Sequence, residues 1–217
     1  MIGLDTIICG DSLEVMRGIK DKYFDLILTD PPYGIGEARR NNASRGKLAI
    51  AKDYGVHGWD DSIPPKEYFE AMFRISKNQI IFGGNYFVEY LKNSPCWIVW
   101  DKNNHSNDFA DCELIWTSFK TATRLIKYTW NGMLQQDMKN KEERYHPTQK
   151  PCGLIEMLLL SYSKEGDLIC DPFLGSGTTA VACLRTKRHY LGIESSPEYC
   201  AIAEERIRQE NMQLKLF

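Results

Sequence analysis

Hydrophobic and polar positions along this chain switch repeatedly between a period of two and a period near 3.6. Thr6-Ile7-Ile8-Cys9 is a short β-prone run that ends at Gly10-Asp11-Ser12. Ser12 can cap a helix in which Leu13, Met16 and Ile19 keep helical spacing. The next strand is expected over 24–29 and ends on Thr29, just before an acid. Periodicity then disappears from 34 to 61. Pro64 and Pro65 open a helix expected to reach about 77, with Tyr68, Phe69, Met72, Phe73 and Ile75 on its apolar face. Strands are expected over 79–82 and 96–100, with a helical stretch at 86–91 between them. Two further β-prone runs, 113–117 and 124–128, have no helix between them and read as a hairpin. The polar stretch 131–145 reads as a loop.

The last third repeats the alternation more cleanly. A helix opens after Pro151, with Leu154, Ile155, Leu158, Leu159 and Tyr162 inward. A strand over 167–170, a helix to about 187 and a strand over 190–193 follow it. Ser196 and Pro197 then cap and start the final helix. Strands alternating with amphipathic helices predict an α/β fold, its sheet mostly parallel and covered by helices on both faces. In such sheets ligands sit at the carboxyl ends of the strands. Asp11, Asp30, Asp101, Asp171 and Glu194 all fall at or just beyond expected strand ends, so they can share one rim.

Composition narrows the class without identifying it. A chain of 217 residues with 43% hydrophobic content fits one large domain that can bury a core. A net charge of -2 gives no whole-molecule attraction for a polyanion, so any such signal has to be local. It is found at Arg39, Arg40, Arg45, Lys47 and Lys52, a basic run with no acid among the arginines and lysines before Asp53. Seven cysteines in no paired metal spacing read as reduced thiols of a cytoplasmic protein. No apolar stretch is long enough to span a membrane, and neither a membrane nor a metal partner is expected.

Two stretches carry chemistry. In Asp30-Pro31-Pro32-Tyr33 the prolines cannot supply strand amides, so the strand stops there. What remains is a stiff edge with one carboxylate, carbonyl oxygens without competing amides, and one flat ring. A planar group with an amino substituent fits that edge. The second stretch runs from Asp167 to Glu194 as strand, glycine-rich turn, helix, strand and terminal acid. Gly175 and Gly177 let backbone approach a ligand, and the helix start at Thr178 favours a carboxylate or phosphate. Glu194 can accept from two ribose hydroxyls. Ala180 stands where the dinucleotide fingerprint needs its third glycine, and Gly177-Thr178-Thr179 lacks the lysine of a phosphate-binding loop.

Together these residues resemble a family. Asp30-Pro31-Pro32-Tyr33 is similar to the catalytic motif of S-adenosylmethionine-dependent DNA amino-methyltransferases. Asp171-Pro172-Phe173-Leu174-Gly175-Ser176-Gly177-Thr178-Thr179 resembles their cofactor loop, and His146-Pro147-Thr148-Gln149-Lys150-Pro151 the segment closing over the cofactor. The order, catalytic before cofactor, is that of the β group, and the resemblance spans nearly the whole chain.

The resemblance implies a Rossmann-like methyltransferase fold with S-adenosylmethionine as cofactor and DNA as partner, pairing with a second copy being compatible with it. It implies that Asp30 and the Pro31 carbonyl accept from the target amine, with Pro32 and Tyr33 completing the edge and Tyr33 stacking on the flipped base. Asp11, His146, Thr148, Lys150, Asp171, Phe173, Gly175, Gly177, Thr178 and Glu194 become expected cofactor residues. Arg39, Arg40, Arg45 and Lys47 become expected DNA contacts. The chain reads as one methyltransferase domain over 1–217, with a basic loop at about 34–62 and a short target-recognition insertion at about 119–145. Within the family an acid before Pro-Pro-Tyr is commoner in adenine enzymes and serine in cytosine ones, so N6 of adenine is the expected target and N4 of cytosine the alternative. RNA or a protein amide would suit a similar acceptor edge, but the motif order argues against the protein-amide enzymes.

Other conspicuous residues have plainer readings. Pro95-Cys96, similar to a nucleophilic Pro-Cys pair, precedes Trp97-Ile98-Val99-Trp100 and reads as a buried strand cysteine. His57 and His105 lack partner spacing. Trp59, Trp116 and Trp130 read as packing residues.

Overall fold

The computed structural model describes residues 3–36, 62–104, 110–131, 134–145 and 148–214. Arg39, Arg40, Arg45, Lys47, Lys52, His57, Trp59, His105 and His146 lie outside the described residues.

The amino-terminal half builds β1 (Thr6–Cys9), α1 (Ser12–Arg17), β2 (Phe24–Thr29), α2 (Lys66–Ile75) and β3 (Ser76–Phe82). Then come β4 (Trp97–Asp101), β5 (Cys112–Thr117), β6 (Arg124–Lys127) and a two-stranded hairpin, β7 (Trp130–Asn131) with β8 (Leu134–Gln135). The chain ends with α3 (Cys152–Tyr162), β9 (Leu168–Asp171), α4 (Thr178–Arg185), β10 (His189–Glu194) and α5 (Pro197–Leu214). Eight strands form one sheet in the order β1-β10-β9-β2-β3-β5-β4-β6. Only β5 runs against its neighbours; the other strands of that sheet point the same way, which gives the expected mostly parallel α/β sheet.

Strand β2 sits at the centre because nearly everything it carries is apolar. Leu26 and Leu28 pack into the cluster beneath α3 and α4, while Ile27 packs into the cluster beneath α1 and α2. Full burial of each such side chain is worth about 1.5–3 kcal/mol, so a one-residue slip would exchange the two faces at a prohibitive cost. Asp25 is tolerated near the start of β2 because it accepts from Lys77 Nζ at 2.6 Å and from the Leu168 amide at 2.9 Å.

Several local expectations change. Asp11, not Ser12, caps α1: its carboxylate accepts the Glu14 amide at 2.9 Å, and Ser12 is the buried first helical residue. The expected hairpin of 113–117 with 124–128 does not form. Strand β5, with Ile115, Trp116 and Thr117 buried, is inserted between β3 and β4, whereas β6 pairs parallel to β4 at the sheet's edge. The more apolar run takes the inside position, and β6, ending in Arg124 and Lys127, takes the edge that charge protects. The expected helix at 86–91 is reduced to a 3-10 turn at Gly84–Tyr86. Helix α2 stops at Ile75 and β3 begins at once on Ser76, three residues earlier than expected.

Candidate active site

At the carboxyl end of β2, the prolines free the backbone from the sheet and Tyr33 folds back onto the strand's last acid. Its hydroxyl donates to Asp30 Oδ1 at 2.6 Å. Its ring stacks on Tyr86 with centroids 4.8 Å apart and planes 13° from parallel. Gly83 makes that placement possible: its φ is +64°, and a Cβ there would stand 2.2 Å from the Tyr33 ring. The other carboxylate oxygen, Asp30 Oδ2, accepts from Lys150 Nζ at 2.5 Å.

Lys150 also faces Glu113 Oε2 at 3.5 Å, and Lys102 Nζ holds Glu113 Oε1 at 2.5 Å. Two carboxylates and two ammonium groups thus balance in one half-buried cluster, with Lys150 its most buried member. Burial pushes the Asp30 carboxyl up despite Lys150, and pushes the Tyr33 hydroxyl well above its ordinary value, helped by Asp30. Burial would raise Glu113 too, but Lys150 and Lys102 outweigh it and hold the group low. For Lys150 burial works against the charge, and Asp30 and Glu113 more than restore it.

The neighbouring strand carries the second half of the site. Strands β2 and β9 are paired, and Thr29 donates to Asp171 Oδ1 at 2.7 Å across 142 residues of sequence. Thr179 at the start of α4 donates to Asp171 Oδ2 at 2.6 Å, and the Phe173 amide donates to Oδ1 at 3.1 Å. Buried there, Asp171 is pushed up to about 6. Glu194 at the end of β10 accepts the Gly175 amide at 2.8 Å on one oxygen and the Ser196 amide at 2.8 Å on the other. Its carboxylate is fixed by backbone while each oxygen keeps a lone pair for a ligand.

Three cavities meet along this rim. One of about 390 Å³ lies between Asp30, Lys150 and the turn from Phe173 to Ser176, with Glu194 and Tyr199 at its far side. A second, about 180 Å³, lies between Asp11, Tyr68 and Pro64 and shares Phe173, Glu194 and Ser195 with the first. A third, about 550 Å³, opens on the other side of Asp30 between Tyr33, Tyr86, Glu113, Trp130 and Arg144. Asp30, Pro32, Thr148, Gln149 and Lys150 form the wall common to the first and third.

The expected site residues therefore converge, with some reassignments. Asp30, Pro32, Thr148, Lys150, Asp171, Phe173, Gly175, Thr178 and Glu194 line the first cavity, and Pro31 and Tyr33 line the third. Asp11 lines the second and accepts from Tyr68 at 2.7 Å. Lys150 bonds to Asp30, across the cavity from the Gly175 turn. Gly177 is turned toward α5: a Cβ there would meet that of Ala203 at 2.8 Å, so this glycine serves helix packing. Asp101 shares the rim but accepts the Asn103 amide at 2.8 Å and lines none of the three cavities. Cys96 is fully buried, as a strand cysteine should be. Trp116 is a packing residue; Trp130 does more, lying under the Arg144 guanidinium at 4.3 Å on the wall of the third cavity.

Glu113, Lys102, Tyr68 and Arg144 are not among the expected site residues, and Gln149 is expected only as part of the segment from His146 to Pro151. Glu113 had a legible signal, a lone acid inside the apolar run Cys112-Glu113-Leu114-Ile115-Trp116. Tyr68 reads as part of the apolar face of its helix, Lys102 and Arg144 are polar residues in polar surroundings, and only the fold brings them to the rim.

A sheet of this order, with an acid-ended β10, a glycine turn between β9 and α4 and an acceptor edge on the adjoining β2, defines a Rossmann-like methyltransferase. The model of the DNA methylase family, of N6/N4 type, matches residues 85–205, and the chain belongs to that family. Among curated proteins it is 27% identical to the type II methyltransferase M.HpaI of Haemophilus parainfluenzae, over 94% of this chain and 74% of that protein. It is also 27% identical to M2.DpnII of Streptococcus pneumoniae, over 94% of this chain and 90% of that protein. The crystal structure of the M1.HpyAVI–SAM complex aligns with a TM-score of 0.56 at 24% identity, over 93% of this chain and 98% of the other. The cytosine-N4-specific PvuII DNA methyltransferase aligns at 0.60 and 17%, over 94% and 90%. At these identities the structural matches establish the shared fold.

Proposed function

We propose that the protein transfers a methyl group from S-adenosylmethionine to the N6 amino group of adenine in DNA. One observation carries this reading: Asp30 stands in the wall between a slot lined by the Glu194 carboxylate and a larger cavity lined by aromatic rings.

The chain's residues suit the cofactor. The first and second cavities share a wall, and together they match an elongated nucleoside carrying a charged tail. Glu194, held by two amides, would accept from the ribose hydroxyls, with Asp11 beside the adenine end. Phe173, Gly175 and Thr178 would line the remainder. When bound, S-adenosylmethionine supplies a methyl group on a sulfonium. The protein's own task is to hold the amine in line. Extruding a base costs a few kcal/mol, partly offset by stacking of roughly 1–3 kcal/mol against the Tyr33–Tyr86 pair. Asp30 and the Pro31 carbonyl would accept the two amine hydrogens and draw the nitrogen from planar toward tetrahedral geometry. A carboxylate whose proton affinity burial has raised is also suited to receive the proton the amine sheds.

The same reading covers the remaining expectations. It takes the chain as one methyltransferase domain with a basic loop at Arg39, Arg40, Arg45 and Lys47 for phosphates, and its placing of residues 119–145 toward the target is supported by Trp130 and Arg144 on the wall of the third cavity. Among the described residues no helix is long and apolar enough to cross a membrane, and no His/Cys/Asp/Glu group is arranged to hold a metal. A cytoplasmic location suits an enzyme whose substrate is cellular DNA. Pairing of two copies is tested by sedimentation, the exposed edge of β6 with Leu125 being one surface available for it.

Adenine is preferred because an acid, not a serine, precedes Pro31. Nucleoside analysis of DNA from cells expressing the protein should show N6-methyladenine. N4-methylcytosine alone would overturn the base assignment, and no modified base at all would overturn the activity.

A further inference from the structure

Both oxygens of Asp30 are already engaged, one by the Tyr33 hydroxyl and one by the Lys150 ammonium at 2.5 Å. Each oxygen keeps a second lone pair, but an ammonium at 2.5 Å on Oδ2 draws off the charge that oxygen can offer a target amine. Lys150 is only 9% exposed. Moving it away from Asp30 without a new partner would leave a largely buried charge uncompensated. The partner is present. Glu113 Oε2 stands 3.5 Å from Lys150 Nζ, with only the Tyr33 hydroxyl, also at 3.5 Å, beside it, and Lys102 is held by the other Glu113 oxygen.

We propose that Glu113 is a positioning residue that provides the second seat of the Lys150 ammonium, so that Lys150 leaves Asp30 Oδ2 when the target amine arrives. The inference rests on reading Asp30 as the amine's acceptor. No covalent bond changes. The Lys150–Asp30 hydrogen bond breaks, a Lys150–Glu113 bond closes from 3.5 Å, and an amine N–H takes the vacated oxygen. Charge in the cluster stays balanced throughout, because two carboxylates face two ammonium groups before and after. Lys102, also packed over the Trp100 ring at 5.0 Å, sets how strongly Glu113 can draw Lys150 by holding part of its charge. Glu113 thus acts on the reaction through Lys150 without touching the amine.

The test compares binding of two duplexes that differ at the target base, adenine against purine, which lacks the amino group. The change in the ratio of the two affinities from wild type to variant reports the amine's bond to Asp30, since the pairing cost of extrusion and the Pro31 contact are common to both proteins. Glu113→Gln leaves Lys150 with Asp30 alone and should lower that ratio by about tenfold, within the coupling range of contacting charges. Cofactor affinity should be unchanged. Lys102→Met, which removes Glu113's competing partner, should move the ratio the opposite way, and it serves as the readout should Glu113→Gln not fold. An unchanged ratio in either folded variant, or equal weakening on both duplexes, would overturn the role of Glu113. The underlying reading fails separately: it is lost if Asp30→Ala methylates at a near-normal rate.

Discussion

Asp30 is the residue on which most of the chemistry turns, and its surroundings say what its loss should do. It touches Tyr33 and Lys150 but none of the backbone around Gly175. Asp30→Ala should therefore bind S-adenosylmethionine normally in calorimetry. Its turnover should fall a hundredfold or more, roughly the cost of deleting a preorganised electrostatic partner. Glu194 is the counterpart on the cofactor side. Glu194→Ala should weaken cofactor binding by about 1.5–3 kcal/mol, the usual worth of hydrogen bonds to a charged group; unchanged affinity would remove it from the site. Asp171 behaves differently because its partners are internal. Its folded-state value of about 6 lies above the roughly 3.9 of an unfolded aspartate. Between those values the folded protein keeps a proton that the unfolded chain has lost. The stability this group contributes is complete below about pH 4 and is lost as pH rises through about 6. Asp171→Asn should match the wild type near pH 4 and exceed it near pH 7 by on the order of 3 kcal/mol, as read by urea melts across that range.

At the scale of elements, the site depends on close approaches that side chains would block. The turn after β3 brings Gly83 beneath Tyr33 with a backbone conformation that side-chain-bearing residues rarely adopt. Gly83→Ala should push Tyr33 off Tyr86 and reduce turnover severely while cofactor affinity holds, because Gly83 lines the third cavity and not the first. Gly192 in β10 has the same relation to the cofactor turn: a Cβ there would come within 2.4 Å of Leu174. Gly192→Ala should instead weaken cofactor binding with Asp30 and Tyr33 left in place. Opposite splits between affinity and turnover in the two variants are the outcome to look for in parallel calorimetry and rate measurements.

For the whole molecule the relevant fact is charge. A protein with net charge -2 has no overall attraction for DNA, so phosphate contacts have to come from local cations. If Arg39, Arg40, Arg45 and Lys47 make them, each replacement by alanine should reduce the steepness of log affinity against log salt by about 0.9. Equal slopes for the wild type and the fourfold variant would remove the loop from the DNA interface.

The sequence by itself determined the strands whose apolar runs are interrupted sharply. Phe24–Thr29 ends where Pro31 and Pro32 remove the amides, and Leu168–Asp171 ends at Pro172 and the glycine turn. Proline chemistry and side-chain period are local, so Asp30, Asp171 and Glu194 could be placed at strand ends without a structure. Tertiary structure decided everything that depends on which strands are neighbours. The insertion of β5 between β3 and β4 follows from competition among apolar runs for the inside of one sheet, which no single segment expresses. That insertion carries Glu113 to within 3.5 Å of Lys150, and the segment entering α3 brings Lys150 to Asp30 across 120 residues of sequence. The ends of the chemistry were local, but the cluster that joins them exists only because burial drove four charged side chains to satisfy one another.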